Sequence, residues 1–199
     1  MSKLNRSDLM SLEEYAERRP AFRAEVMEHK KTRQIALNEH ARLYFEDVKT
    51  IQYQVQEMLR IEKVFEAAGI QDELDAYNPL IPDGCNWKAT FMLEYDDPNE
   101  RQQKVMELKG IEDKVWVQVE GFDKVYAIAD EDLERENEEQ TSTVHFLRFE
   151  LTKPMSAAVG KNAAISMGVD HPAMQCDTGP IDLAIRDSLA ADLDKVSIS

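Results

Sequence analysis

Hydrophobic spacing divides the chain into helical and extended stretches. From Val48 to Ala68 the period is helical. At about 100° per residue, Val48, Ile51, Val55, Met58, Leu59 and Phe65 fall on one arc, and Gly69 supplies a C-terminal stop. From Trp87 to Tyr95 the period is two: Trp87, Ala89, Phe91, Leu93 and Tyr95 alternate with Lys88, Thr90, Met92 and Glu94, which predicts a strand with one buried face. Val115, Val117 and Val119 predict another strand, turned by Gly121 into a hairpin with Val125 to Ala129. Val144 to Leu151 predicts a strand, and Ile165, Met167 and Val169 a last one. Earlier, Ile35 and Leu37 face Leu43 and Phe45 across Asn38-Glu39-His40, a second hairpin.

Capping and breaking residues place the other helices. Ser7 and Ser11 are both helix starts, the second followed by Glu13 and Glu14, which suit a helix N-terminus. Pro20 kinks that helix or opens a new one, and helical spacing continues from Ala21 to about Thr32. Gln71 to Tyr77 reads as a short helix or turn. Asn78 to Gly84 (NPLIPDG) is a loop stiffened by two prolines. Short helices follow Asp97-Pro98 and cover Pro154 to Val159, and Ile181 to Leu193 is an amphipathic C-terminal helix. With helices first, strands later, recurring hairpins and no βαβ rhythm, the expected fold is a single α+β domain over 1–199. It has a largely antiparallel sheet, N-terminal helices (1–33), sheet and packing helices (34–193) with the long amphipathic helix on the sheet, and a tail (194–199).

Composition narrows the functions. The 199 residues carry a net charge of −15, which argues against nucleic acid and anionic membrane surfaces as partners. No apolar run has the length of a membrane span, and Met1 to Met10 has no apolar signal core. Cys85 and Cys176 stand far apart with no CxxC pair, so two free thiols point to a reducing cytoplasm. Nucleotide-binding, hydrolase and HExxH fingerprints are missing, so no cofactor is expected. None of the four histidines has a Glu three positions before it, as a helical di-iron site requires.

A few positions stand out against this background. Glu62 falls inside the apolar arc of the long helix, where a carboxylate needs a cation or has a raised pKa. Thr50, Gln54 and Glu57 form a polar stripe beside the arc, either a pocket wall or a solvated boundary. Arg148 alternates with Leu147 and Phe149 and is the kind of partner a buried Glu62 would need. His145 shares the apolar face and reads as a hydrogen-bonded core residue. His171 and Cys176 are a weak metal pair. Cys85 reads as inert beside Asp83. Asp130 to Gln140 holds seven Asp or Glu against Arg135 alone, a solvated face or a site for a divalent cation or basic partner.

Three segments carry a family resemblance: FEDVKTIQYQVQEMLRIEKVF (Phe45–Phe65), ELDAYNPLIP (Glu73–Pro82) and STVHFLRFEL (Ser142–Leu151). Over nearly the whole chain the sequence resembles a bacterial domain-of-unknown-function family, number 3501. Glu46, Thr50, Gln54, Glu57, Arg60, Glu62, Tyr77, Asn78 and Arg148 match its signature. The resemblance implies no established activity. The family's genes often lie beside rubrerythrin-like and iron–sulfur oxidoreductase proteins, which implies, by association, a role near peroxide or redox stress. Three readings stay open. The first is a cytoplasmic accessory protein of a redox system, working through protein contacts made by the long helix and the NPLIPDG loop. The second is a small-ligand binder or enzyme with a carboxylate-lined pocket built from Gln54, Glu57, Arg60, Glu62 and Tyr77, with Asn78 and Arg148 as further candidates. The third is a metal protein with irregular His and Glu ligands. The stiff loop and the C-terminal helix also point to a homodimer.

Overall fold

A computed structural model describes residues 3–129 and 141–194; the acidic run 130–140 lies outside the described residues. The fold is α+β, with two antiparallel sheets. The long N-terminal helix α1 (Leu12–Lys30) starts at Ser11, whose hydroxyl accepts from Glu14 N, and it runs unbroken through Pro20. Ser7 lies instead in a single 3-10 turn capped by Asn5. The hairpin β1 (Gln34–Ala36) and β2 (Ala41–Phe45) forms as the alternation predicts.

Helix α2 (Val48–Glu62) opens on a reciprocal cap. Asp47 Oδ1 accepts from Thr50 N at 2.9 Å, and Thr50 Oγ1 accepts from Asp47 N at 2.9 Å. The helix is shorter than its hydrophobic spacing predicts. Lys63 adopts the left-handed conformation (φ 55°) and Val64 N closes on Leu59 O, which ends it. Gly69 therefore does not stop α2 but lies inside α3 (Ala67–Tyr77), where a Cβ would meet Val64 Cγ1 at 2.7 Å. Its role is close packing. Ile51, Val55 and Leu59 of α2 pack with Leu4, Leu74 and Ile81 in a small helical core, and Phe65, assigned to the same arc, is exposed.

Strand β3 (Asn86–Leu93) follows the NPLIPDG loop and is central to the five-stranded sheet, ordered β1-β2-β3-β7-β6, where β6 is Ile128–Ala129 and β7 is Val144–Glu150. The second sheet is ordered β5-β4-β8-β9, from β4 (Val115–Val119), β5 (Val125–Tyr126), β8 (Ile165–His171) and β9 (Met174–Pro180). The stretch predicted to be one hairpin arm after Gly121 is shared between the sheets. Its first half pairs with β4 and its second with β7. Strand β8 is not the last strand, because β9 pairs with it in a hairpin. No residue of β9 is fully buried, so this edge strand lacks the apolar alternation that would announce it.

Inner-face residues of both sheets form one apolar core. It includes Trp87, Phe91 and Phe149 from one sheet and Val117, Ile165 and Met167 from the other. Between the strands lie α4 (Pro98–Glu107) and α5 (Lys153–Gly160), and α6 (Leu183–Ala190) follows β9. Trp87 Nε1 donates to Leu189 O at 2.9 Å, tying α6 to the sheet.

The C-terminal segment is also held by charge. Arg33, 2% exposed, donates to Phe45 O, Glu46 O, Ser188 O and Ser188 Oγ, and to Asp192 Oδ2 at 2.5 Å. Burial outweighs the attraction of Arg33 and pushes the Asp192 carboxyl up to about 6. His29 Nε2 lies 2.5 Å from Asp47 Oδ2, so the cap of α2 joins the same buried group. Among the described residues no helix is long and apolar enough to cross a membrane.

Candidate functional site

Alternation on β3 and β7 sends Trp87, Ala89, Phe91, Leu147 and Phe149 into the core, leaving Lys88, Thr90, Met92, Phe146 and Arg148 on the outer face. The register arranges these in rows. Lys88 is paired with Arg148, and Arg148 with Ile128. Glu46, one residue beyond β2, donates its N–H to Lys88 O at 2.9 Å and extends that row. One step along the strands, Tyr44, Thr90 and Phe146 form the next row, followed by Arg42, Met92 and Val144.

The start of α2 and the Asn78–Gly84 loop lie over this face and leave a cleft with two chambers. One, of about 710 Å³, has Lys88 and Arg148 on the sheet and Leu80, Ile81 and Pro82 in the loop. The other, of about 330 Å³, lies between Thr90 and Met92 on the sheet and Thr50, Gln54 and Tyr77 on the helices. Glu46, Leu80 and Phe146 line both and form the waist. Two prolines and the turn Asn78–Leu80 make the loop wall stiff, and Lys88 Nζ donates to Pro79 O at 2.6 Å.

Glu46 is oriented by two hydroxyls. Thr50 Oγ1 donates to Oε2 at 2.5 Å and Thr90 Oγ1 to Oε1 at 2.8 Å. A carboxylate has about four acceptor positions, so further acceptor capacity remains. Lys88 and Arg148 face each other as like charges, an arrangement that costs stability without a counter-charge. Arg148 Nη1 donates to Glu150 Oε1, which also accepts from Asn86 Nδ2 at 3.1 Å. Lys88 has no carboxylate within 4.0 Å among the described residues. Burial lowers the pKa of its ammonium, and Arg148 adds to this against the attraction of Asp83 and Glu150. Farther along the face, Tyr44 donates to Glu94 Oε1 at 2.6 Å. Burial together with this carboxylate pushes the phenol up to about 12.

The residues singled out in the sequence divide into two groups. Gln54, Tyr77, Asn78 and Arg148 line the cleft. Asn78 is already engaged, because its side chain exchanges two hydrogen bonds with the backbone of Leu4, at 2.8 and 2.9 Å. Glu57, Arg60 and Glu62 do not line it. Glu57 receives Arg19 through both carboxylate oxygens, at 2.7 and 2.9 Å, and Tyr15 OH at 2.6 Å. The Arg19 hydrogen bonds hold its carboxyl down at about 2. Arg60 is exposed. Glu62 is exposed as well, correcting its assignment to the apolar arc: it ends α2 immediately before Lys63, where the helix no longer faces the core. It makes no pair with Arg148, whose partner is Glu150.

Lys88 was not among the sequence candidates. Its signal, a cation alternating with core residues, is common on strands, and only the β3–β7 register sets it opposite Arg148. His145 is buried beside Thr141, as expected of a core histidine, and His171 Nε2 lies 3.0 Å from Lys109 O. No group of three or more His, Cys, Asp or Glu side chains suited to a metal ion occurs among the described residues. The Cys85 thiol bonds to Asp83 Oδ1 at 3.1 Å, which raises its pKa and makes it less reactive.

A family model described as "Protein of unknown function (DUF3501)" matches residues 3–193. A solved structure, described as a novel protein of unknown function from Burkholderia pseudomallei K96243, is similar to the chain at 50% identity. It covers 97% of this chain and 100% of its own length, with a TM-score of 0.92. A search of the curated proteins finds no match.

Proposed function

The chain belongs to the DUF3501 family, and from the geometry of its cleft we propose that it acts as one cytoplasmic α+β domain that binds a small organic anion. One observation carries this reading: two cations from neighbouring strands, Lys88 and Arg148, face each other in a 710 Å³ chamber, and Lys88 has no ion-pair partner among the described residues. A ligand carboxylate between them would relieve their repulsion and gain charge-assisted hydrogen bonds. The apolar loop residues Leu80 and Ile81 and the sheet residue Phe146 suit a ligand whose remainder is apolar. The test is calorimetric titration with 3-phenylpropionate. Saturable binding that is lost in Lys88→Ala and Arg148→Ala supports the reading. An absence of saturable binding, or binding unchanged in both variants, overturns it.

A second reading, contact with a protein, is favoured by Ile61 and Phe65 at the end of α2, which are 63% and 72% exposed. The accessory role near a redox-stress system suggested by the resemblance, and a homodimer, would both use this patch. Light scattering on the eluting protein, wild type beside Phe65→Asp, tests the homodimer. A dimer that dissociates in the variant supports it, and a monomer in both removes it.

A further inference from the structure

The two chambers and the carboxylate between them specify more than an anion. We infer that the ligand is an α-amino acid with a large apolar side chain, its carboxylate between Lys88 and Arg148, its ammonium on Glu46 and its side chain in the second chamber. The inference rests on the anion-binding reading above and adds the other two contacts.

Glu46, Lys88 and Arg148 stand in one row of the sheet, and neighbouring positions in such a row are about 5 Å apart at Cβ. The Glu46 carboxylate and the Lys88 ammonium are more than 4.0 Å apart, which leaves room between them for an α-carbon carrying both charges. The polarity matches, with the acid at the waist and the cation pair at the outer end. Glu46 is held in place by Thr50 and Thr90 and keeps acceptor capacity for an ammonium. No lysine or arginine lies within 4.0 Å of its carboxylate among the described residues. Beyond the waist, Thr90 and Met92 continue along β3, and Phe146 and Val144 along β7. From Lys88 to Met92 the strand covers ~13 Å, enough for a side chain of aromatic size. Leu80 and Ile51 close the chamber from the other side and, with Met92, Val144 and Phe146, give it apolar surface for a side chain, beside the polar groups of Thr50, Gln54, Lys30 and Arg33.

The experiment compares three probes by calorimetry: L-phenylalanine, 3-phenylpropionate, which lacks the ammonium, and phenethylamine, which lacks the carboxylate. L-Phenylalanine is expected to bind tightest, and each truncated probe about ten- to a hundredfold more weakly, the range of a charge-assisted hydrogen bond. Glu46→Gln is expected to weaken L-phenylalanine to the level of 3-phenylpropionate while leaving 3-phenylpropionate unchanged. Lys88→Ala should weaken both carboxylates and spare phenethylamine. Equal affinity for L-phenylalanine and 3-phenylpropionate in the wild type overturns the amino-acid inference and leaves the anion reading standing. This arm needs no variant to fold. If no probe binds, both fail. If phenethylamine binds as tightly as L-phenylalanine and Lys88→Ala changes nothing, the cation pair has no ligand role and both fail.

Discussion

Arg33, just before β1, and Lys88, on β3, are cations at two regions of the same sheet, and the chain treats them differently. Arg33 is buried, and its guanidinium meets three backbone carbonyls, a serine hydroxyl and the Asp192 carboxylate. Two of these contacts reach the end of the neighbouring strand β2 and three reach the C-terminal segment, so its charge is used up within the fold. Lys88 is half-buried, meets one carbonyl and faces another cation. Glu57 and Glu46 repeat the contrast for carboxylates. Glu57 is saturated by Arg19 and Tyr15, whereas Glu46 is oriented by two hydroxyls and meets no cation within 4.0 Å among the described residues. Charged groups that hold the fold together are closed networks. Groups fixed in place with capacity left over are where a ligand can gain energy.

Substitutions can break this contrast. The largest stability effect is expected for Arg33→Met, which strands the buried Asp192 and removes five hydrogen bonds. Breaking one side of a buried pair costs about 3–5 kcal/mol, to be read from denaturant unfolding. A smaller loss is expected from Glu57→Gln at neutral pH. The folded carboxyl titrates at about 2 against 4.5 when free, so its stabilisation is present above 4.5 and lost as pH falls toward 2. Allowing for solvent screening, about 1–2 kcal/mol is at stake. Thermal melts in acid should bring wild type and variant together.

Asp192 has the opposite sign. Its folded pKa of about 6 lies above the free value of 3.8, so its contribution is present below 3.8 and lost as pH rises through about 6. Melts of Asp192→Asn across that interval should lack this decline. The smallest effect on stability is expected for Lys88→Ala, within about 0.5 kcal/mol of wild type, because the substitution also relieves repulsion with Arg148. If Lys88→Ala instead costs as much as Arg33→Met, Lys88 belongs to the scaffold and the contrast collapses.

Much of the scaffold is legible in the chain order of its residues. Alternation along Trp87–Leu93 and Val144–Leu151 marks the inner faces, and Ser11 with Glu13 and Glu14 marks the start of α1. These are local signals, because side-chain direction repeats every two residues in a strand and capping acts within one turn. What failed was less local. The end of α2 depends on Lys63 turning left-handed so that Val64 can pack, and Gly69 is small because Val64 lies against it. Strand β9 is set by its pairing with β8, which no alternation of its own announces.

The candidate site divides along the same line. Sequence alone marked Gln54, Tyr77, Asn78 and Arg148 as worth attention, but it grouped them with Glu57, Arg60 and Glu62, which lie away from the cleft. Only the tertiary structure placed Lys88 opposite Arg148, put Glu46 beside them and laid the proline loop over the row. The reason is physical: residue spacing determines which way a side chain points, whereas strand register and loop docking determine what it meets.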